Sequence, residues 1–254
     1  MVSTRRIVLP TAEALAEDAA QRFARAARDA VQSHGAFVVA LSGGATPRGL
    51  YARLATPPYA STVPWSLAQV LWGDERCVAP DQAASNYRMV REALLDHVPI
   101  PAENVHRIRG EDVPALAASA YERTLRTVLR TPRGPPREVP GARIDLILLG
   151  LGDDGHTASL FPGSADVPDG EPWVVARYHM AASQWRVTLT PVLINAAAEI
   201  LFLVSGETKA AIVRRVLEGP WQPQELPAHL IAPTDGRTLW LLDAAAARDL
   251  EARA

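Results

Sequence analysis

The apolar segment Ile144–Leu149 restricts the fold of this chain more than any other feature. A run of this length that ends in glycines is typical of a strand covered on both faces, and such strands belong to parallel sheets with helices on each side. Ligands of open α/β sheets bind beyond the carboxyl ends of the strands. We therefore expect residues 150–162, GLGDDGHTASLFP, to lie where the protein does its chemistry.

Strand-like and helical patterns alternate along the rest of the chain. The expected strands are Ile7–Leu9, Phe37–Leu41, Gln69–Trp72, Ile144–Leu149, Trp173–Tyr178, Ile200–Val204 and Leu239–Leu242. The expected helices are Thr11–Val31, Ser85–Leu95, Pro114–Leu129, Thr208–Leu217 and Ala244–Glu251. This alternation predicts an α/β fold with a mostly parallel, Rossmann-like open sheet and helices on both faces. We expect one domain over residues 1–254, with surface loops at Thr131–Gly141 and Asp166–Pro172.

Composition argues for a small-molecule partner. The 254 residues carry a net charge of -2, which gives no electrostatic reason to expect nucleic acid or anionic membrane as a partner. Residues 1–10 lack the apolar core of a secretion signal and no apolar run has the length of a membrane span, so we expect a cytoplasmic protein. The one cysteine, Cys77, has no partner for an internal disulfide, and we expect a small packing residue. We expect no structural zinc site, because no Cys/His cluster has the required spacing.

Residues 150–155, GLGDDG, match the dinucleotide fingerprint G-x-G-x-x-G directly after a strand. We reject that interpretation, because Asp153 and Asp154 would place two negative charges beside the pyrophosphate. Pro162 also prevents a helix from running unbroken out of these glycines.

His156 is the best candidate for proton transfer. It lies just after the predicted buried strand, with Asp154 two residues before it and glycines around it. Imidazole side chains titrate near neutral pH, which suits a general base. The backbone N–H groups of the glycine-rich turn, Gly152 among them, are candidates for binding substrate and stabilising an oxyanion.

Residues 42–47, SGGATP, follow the predicted strand Phe37–Leu41 and predict an anion site. Paired glycines let backbone N–H groups approach a phosphate, and a helix with Thr46 as N-cap and Pro47 as its first residue would add the positive end of its dipole. Ser42, Gly43, Gly44 and Thr46 are the candidate ligands. The same pattern also occurs in ordinary strand-to-helix connections.

Charged residues follow the other predicted strands. Residues 72–76, WGDER, contain Asp74 and Arg76, and residues 85–88, SNYR, contain Asn86 and Arg88. We expect these four residues to lie near the carboxyl edge of the sheet. Planar guanidinium groups suit phosphate oxygens, and Asp74 could orient an arginine or bind a sugar hydroxyl.

Lys209 and Arg186 are two further candidates. Lys209 is the only lysine in the chain, against 25 arginines, and it begins a helix after a strand. Either a compact ammonium is needed there, or arginine-rich composition left one lysine by chance. Arg186 is a substrate ligand or a structural residue with equal support.

These segments together resemble the 6-phosphogluconolactonase family. The resemblance lies in blocks that span positions 41 to 209 in order: LSGGATPRGLY at 41–51, WGDER at 72–76 with SNYR at 85–88, LGLGDDGHTASLFP at 149–162, RVTLT at 186–190 and SGETK at 205–209.

The resemblance implies hydrolysis of 6-phospho-D-glucono-1,5-lactone to 6-phosphogluconate, without metal or cofactor. It places the catalytic histidine at His156, its neighbouring aspartate at Asp154, the phosphate loop at Ser42–Thr46 and basic ligands at Arg76, Arg88 and Lys209. The reaction belongs to the oxidative pentose phosphate route, which implies functional coupling to glucose-6-phosphate dehydrogenase. Including the candidates drawn from the residues alone, the expected substrate-binding set is Ser42, Gly43, Gly44, Thr46, Asp74, Arg76, Asn86, Arg88, Gly152, Arg186 and Lys209.

Two alternatives stay open. Glucosamine-6-phosphate deaminase resembles the chain in its glycine loop and DGH element, but carries a carboxylate where this chain has Phe161, and a DEY-type segment where it has Asp74-Glu75-Arg76. A sugar-phosphate sensor of the same fold would keep the phosphate ligands and lose the base. His156 and Asp154 argue against a sensor, as does the absence of a basic segment that could bind DNA.

Overall fold

The computed structural model describes residues 5–130, 143–163, 172–233 and 235–251. Nine strands occur in these ranges: β1 (Arg5–Leu9), β2 (Phe37–Leu41), β3 (Ala68–Trp72), β4 (Asp74–Arg76), β5 (Leu146–Leu149), β6 (Val174–His179), β7 (Gln184–Leu189), β8 (Glu199–Val204) and β9 (Arg237–Asp243). The helices there are α1 (Ala12–His34), α2 (Ala45–Leu54), α3 (Tyr59–Thr62), α4 (Asn86–Ala93), α5 (Pro114–Arg130), α6 (Pro191–Ile194) and α7 (Ala210–Glu218).

The main sheet has six parallel strands in the order β1-β9-β8-β5-β2-β3. The connection that leaves β2 runs toward β3, whereas the chain after β5 continues toward β8 and β9, on the other side. The crevice between the carboxyl ends of β2 and β5 is therefore a topological switch point, the usual ligand position in such sheets. Right-handed crossovers place α1 and α2 on one face and α5 and α7 on the other. The expectation of a parallel α/β sheet with helices on both faces is confirmed.

Burial explains why β2 and β5 are continuously apolar and why β3 and β8 each contain a single polar residue, Gln69 and Glu199. Every residue of β2, β3 and β8 is buried, as sheet strands covered on both faces require. The helix α1 supplies part of this cover through a stripe of alanines with Leu15 and Phe23. It begins where the Thr11 side chain accepts a hydrogen bond from the Ala14 N–H, and ends at Gly35 in the left-handed conformation.

A second sheet, antiparallel and three-stranded in the order β4-β7-β6, stands beside the carboxyl edge of the first. One residue, Gly73, separates β3 from β4. Its N–H donates to the Leu41 carbonyl at the end of β2, and its carbonyl accepts from the Leu189 N–H at the end of β7. The backbone of Gly73 therefore ties the two sheets together.

The two faces of the second sheet have opposite character, because successive side chains of a strand point to opposite faces. On one face Val174, Val187 and Leu189 join the hydrophobic core, and α5 packs against β6 and β7. The other face carries the cross-strand pairs Asp74 with Thr188, Arg76 with Arg186, Arg177 with Arg186, and His179 with Gln184, together with Val175 opposite Thr188. We call this second surface the polar wall.

Two expectations need correction, and the two expected surface loops are not tested. The strand expected at Trp173–Tyr178 exists as β6, but it belongs to the antiparallel sheet. The helix expected at Ala244–Glu251 is absent, and these residues form turns in which the Glu251 N–H bonds the Glu218 carboxylate. The expected loop at Thr131–Gly141 lies outside the described residues, as does all but Pro172 of the loop at Asp166–Pro172.

Candidate active site

The turn after β2 forms one side of the crevice. Gly44 is the N-cap of α2 with φ 106°, a conformation that favours glycine, and no described side chain caps the helix. The N–H groups of the first turn of α2 thus have no side-chain cap, as an anion site at a helix N-terminus requires. Thr46 lies inside this first turn, so its expected role as the N-cap was wrong.

Tyr51 fixes the start of this turn. Its buried hydroxyl donates to the Ser42 carbonyl at 2.8 Å and accepts from the Ser42 N–H at 3.0 Å. Burial raises the pKa of Tyr51, so the hydroxyl stays protonated and can make both bonds. Ser42 is thereby held at the carboxyl end of the central strand.

Asn86 packs against Gly43 of the glycine turn, and buried hydrogen bonds connect Asn86 to the segment that carries His156. A Cβ on Gly43 would lie 1.9 Å from Oδ1 of Asn86, so only glycine permits this approach. Asn86 donates from Nδ2 to the Asp74 carbonyl at 2.9 Å, and the Ser159 hydroxyl donates to the Asp74 carboxylate at 2.7 Å. Asp74 therefore braces the site from within; it bonds Asn86 and Ser159 rather than an arginine.

His156 lies in a tight turn between β5 and the buried Ser159. Its Nδ1 is 2.5 Å from Oδ1 of Asp154, and the same oxygen accepts the His156 N–H at 3.1 Å. Gly152 packs directly against the ring, because a Cβ there would lie 2.0 Å from Nδ1. The turn is closed by the Gly152 N–H, which donates to the His156 carbonyl at 2.8 Å. Residues 150–163 form turns rather than a helix, unlike a dinucleotide-binding motif.

The Asp154 side chain is an ionised carboxylate, which can stabilise the positively charged form of a histidine. Partial burial of Asp154 opposes its ionisation, but the charge of His156 and the two hydrogen bonds from His156 outweigh this effect. The pKa of Asp154 consequently lies below its ordinary value, and the carboxylate stays ionised in the range where histidines titrate.

Arg186 and Arg76 lie side by side on the polar wall, paired across β7 and β4. Burial, followed by the positive charge of Arg76, lowers the pKa of Arg186. The guanidinium carbon of Arg186 lies 6.0 Å from the centre of the Phe161 ring. Like charges opposite each other are unfavourable, and a bound anion relieves that repulsion.

His179 is a site residue that the sequence analysis missed. Its ring stacks on Phe161 with centroids 4.2 Å apart, and lies 6.2 Å from the His156 ring. Burial, then the charges of Arg186 and His156, lower the pKa of His179, which favours a neutral ring. No local signal in the sequence could have found it, because β6 brings it to His156 from a distant position in the chain.

Glu75 is a second missed residue, with a structural task. Its buried carboxylate accepts the N–H groups of Asn86 and Tyr87 at 2.7 Å each, which anchors the start of α4. Burial raises the pKa of Glu75, although these N–H bonds oppose the shift. The sequence signal for this role was the acidic run Asp74-Glu75 upstream of Ser85, which is the N-cap of α4. A carboxylate is favourable near the N-terminus of a helix.

The remaining two cationic candidates differ in placement. Lys209 reaches the His156 turn, with Nζ 2.7 Å from the Leu151 carbonyl. The Arg88 side chain instead donates to Glu92 and to the Asp81 carbonyl, at 2.7 Å each. These bonds stay within α4 and the loop that precedes it. The site thus brings together the glycine turn, the His156 turn, Lys209 and the polar wall.

Within the described ranges, no group of three His, Cys, Asp or Glu side chains is placed to hold a metal ion. The same ranges contain no helix long and apolar enough to cross a membrane.

Comparison with known proteins assigns the family. The family described as glucosamine-6-phosphate isomerases/6-phosphogluconolactonase matches residues 10–240. The 6-phosphogluconolactonase of Haemophilus influenzae is 39% identical over 242 residues, which are 95% of this chain and 98% of the relative. The solved 6-phosphogluconolactonase of Trypanosoma cruzi superposes with a TM-score of 0.84 at 27% identity, covering 99% of this chain and 98% of that one. A monomeric glucosamine-6-phosphate deaminase shares the fold, with a TM-score of 0.78, 22% identity and coverage of 97% and 100%. The chain therefore belongs to the glucosamine-6-phosphate isomerase/6-phosphogluconolactonase family.

Proposed function

We propose that this chain is a 6-phosphogluconolactonase, which hydrolyses 6-phospho-D-glucono-1,5-lactone to 6-phosphogluconate in the oxidative pentose phosphate route. The observation that carries the proposal is the pairing of His156 Nδ1 with Asp154 at 2.5 Å, in a turn that borders the crevice. Relatives named 6-phosphogluconolactonase that match nearly the whole chain support the same activity.

In this proposal the phosphate of the substrate lies at the start of α2. The N–H groups after Gly44, the ammonium of Lys209 and the guanidinium groups of Arg76 and Arg186 surround a dianion from several sides. Charge-assisted hydrogen bonds from such donors are roughly twice as strong as neutral ones. Arg88 is assigned no direct contact, because its described bonds lie within its own segment.

His156 acts as the general base. Since Asp154 accepts a hydrogen bond from Nδ1–H, the lone pair of the imidazole is on Nε2. Nε2 takes a proton from water as the water oxygen forms a bond to C1 of the lactone. The bond between C1 and the ring oxygen then breaks, and the imidazolium returns the proton to that oxygen. Asp154 stabilises the imidazolium throughout, as a carboxylate whose pKa is held low.

Three backbone N–H groups around His156 are not available to stabilise an oxyanion. The N–H groups of Gly152, Gly155 and His156 are already bonded to acceptors inside the turn. The expectation that this glycine-rich turn stabilises the oxyanion therefore receives no support from these three groups.

Phe161 favours a lactonase over a glucosamine-6-phosphate deaminase. Opening and isomerising an amino sugar needs additional carboxylates to move protons. At the position five residues after His156, where the deaminase family carries a carboxylate, this chain places a buried phenyl ring in contact with His156 and His179. Hydrolysis of a lactone needs no proton shuttle at that point.

The test is a coupled assay with the purified full chain. Glucose-6-phosphate dehydrogenase generates the lactone, and the disappearance of lactone is followed with and without this protein, after subtraction of spontaneous hydrolysis. We expect rapid hydrolysis by the wild type, and a loss of about 10²–10⁴-fold in kcat for His156→Ala, since a general base contributes that much.

The assay also separates the alternatives. Release of ammonia from glucosamine 6-phosphate, without lactone hydrolysis, would assign the deaminase reaction instead. Phosphosugar binding with no turnover of either substrate would indicate a sensor. Wild-type turnover by His156→Ala would refute the general base but leave the activity standing.

A further inference from the structure

The solitary lysine of this chain already holds an anion of the protein itself. Nζ of Lys209 lies 2.6 Å from Oδ1 of Asp153 and 2.7 Å from the Leu151 carbonyl oxygen. The lysine side chain is 24% exposed, whereas that of Asp153 is 80% exposed. One partner of the ammonium is thus a carboxylate on the outer rim of the site.

The two partners of Lys209 differ in how firmly they are held. The Leu151 carbonyl belongs to the backbone directly after β5, and Leu151 is buried. The Asp153 carboxylate stands at the tip of the turn, almost fully in solvent, where ion pairs contribute little and side chains rotate freely. An incoming anion can therefore replace Asp153 without disturbing the backbone.

We propose that Asp153 occupies the ammonium of Lys209 in the absence of substrate, and that the substrate phosphate takes its place. This inference rests on the proposed function, in which Lys209 binds that phosphate. A phosphate dianion carries more charge than a carboxylate, and two anions at one ammonium repel each other. We therefore expect the phosphate to displace the Asp153 carboxylate from Lys209 rather than to bind the ammonium beside it.

The exchange has a consequence for turnover. The product, 6-phosphogluconate, keeps the phosphate, so tight binding at Lys209 would slow its departure. Asp153 competes for the same ammonium as the product leaves. Asp153 thus lowers the affinity for both phosphosugars and hastens product release, a step that limits many enzymes.

The experiment must distinguish the displacement of Asp153 from Lys209 from the simple repulsion between Asp153 and a nearby phosphate. Any negative charge near a phosphate weakens its binding, whether or not it touches Lys209. If Asp153 acts through Lys209, its removal has no effect once the ammonium is gone. If it acts only as a nearby charge, its removal still strengthens phosphate binding.

The experiment is a double-mutant cycle measured by titration calorimetry at fixed ionic strength. The probes are inorganic phosphate and 6-phosphogluconate, and the proteins are wild type, Asp153→Asn, Lys209→Met and the double variant. Glu103→Gln is the matched control, because it removes one charge from a short helix next to β3 that lies at the opposite, amino edge of the sheet. Thermal melting checks that each variant is folded.

We expect Asp153→Asn to bind both probes about two- to fivefold more tightly, as the loss of an exposed ion pair allows. Lys209→Met should bind them more weakly, the double variant should match Lys209→Met, and Glu103→Gln should match wild type. Unchanged binding by Asp153→Asn, or an equal gain in the Lys209→Met background, would overturn the exchange alone. Equal binding by wild type and Lys209→Met would overturn both the exchange and the proposed role of Lys209.

Discussion

Replacing Gly152 with alanine should disable the site without unfolding the chain. The added Cβ would lie 2.0 Å from Nδ1 and 2.2 Å from Cε1 of His156. Ordinary contacts begin near 3.4 Å, so the ring nitrogen has to retreat by about 1.4 Å. The ring can swing on its own side-chain bonds, and the turn therefore survives. The hydrogen bond to Asp154 at 2.5 Å does not survive.

The size of the effect follows from this displacement. A misplacement of about 1 Å in a catalytic group can cost roughly 10²-fold in rate. We expect Gly152→Ala to lose about 10²-fold in kcat for lactone hydrolysis, with a much smaller change in KM, because the proposed phosphate ligands are other residues.

Gly150→Ala is the matched control, since a Cβ at Gly150 meets no heavy atom of the described chain within 4 Å. Both variants are assayed in the coupled lactone reaction, and their folding is compared by thermal melting. Gly150→Ala should keep wild-type kcat. A Gly152→Ala enzyme that melts like wild type and also retains wild-type kcat would show that the position of the His156 ring does not limit the reaction.

Three further outcomes are expected. Asp154→Asn removes the carboxylate that stabilises the imidazolium, so kcat should fall at least tenfold and the acidic limb of the pH–rate profile should move to lower pH; an unmoved limb would contradict the pairing. Lys209→Met should raise KM about ten- to 150-fold and Lys209→Arg should recover part of it, whereas wild-type KM in both would remove Lys209 from the phosphate site. Incubation with EDTA should leave activity intact, and a loss restored by a divalent ion would overturn the metal-free mechanism.

The sequence was sufficient to predict the main sheet and to place the glycine turn and the His156 turn at its carboxyl edge. Strands such as β2 and β5 are apolar throughout because both faces are covered, and that pattern is visible without a structure. The glycine turn and the His156 turn follow such strands directly, so the parallel sheet alone brings their ends to one edge. The turns are connected by the packing of Gly43 against Asn86 and by hydrogen bonds from Asn86 and Ser159 to Asp74; this connection depends on distant residues and was not predictable.

The second sheet was beyond sequence reasoning for a different reason. The pattern of β6 is compatible with either sheet, because alternation identifies a strand but not its neighbour. The three residues of β4 are too few to show any period. His179 is consequently invisible as a site residue until β6 is paired with β7. The residues after β9 have helical propensity, but they form turns, and the Glu251 N–H donates to the Glu218 carboxylate.

The single residue between the two sheets makes the site sensitive to chain length at one point. Gly73 is hydrogen-bonded to the ends of β2 and β7, so the starting position of β4 in the second sheet is fixed. This position determines which face of that sheet each side chain of β4 points to. One extra residue here would reverse the parity of the strand, sending Asp74 and Arg76 toward the core and Glu75 toward the crevice. Inserting or deleting one residue at this junction should therefore disrupt the polar wall, whereas changes in the length of surface loops are tolerated more readily. A chain with this fold but one residue more at this junction would need a different chemistry in its crevice.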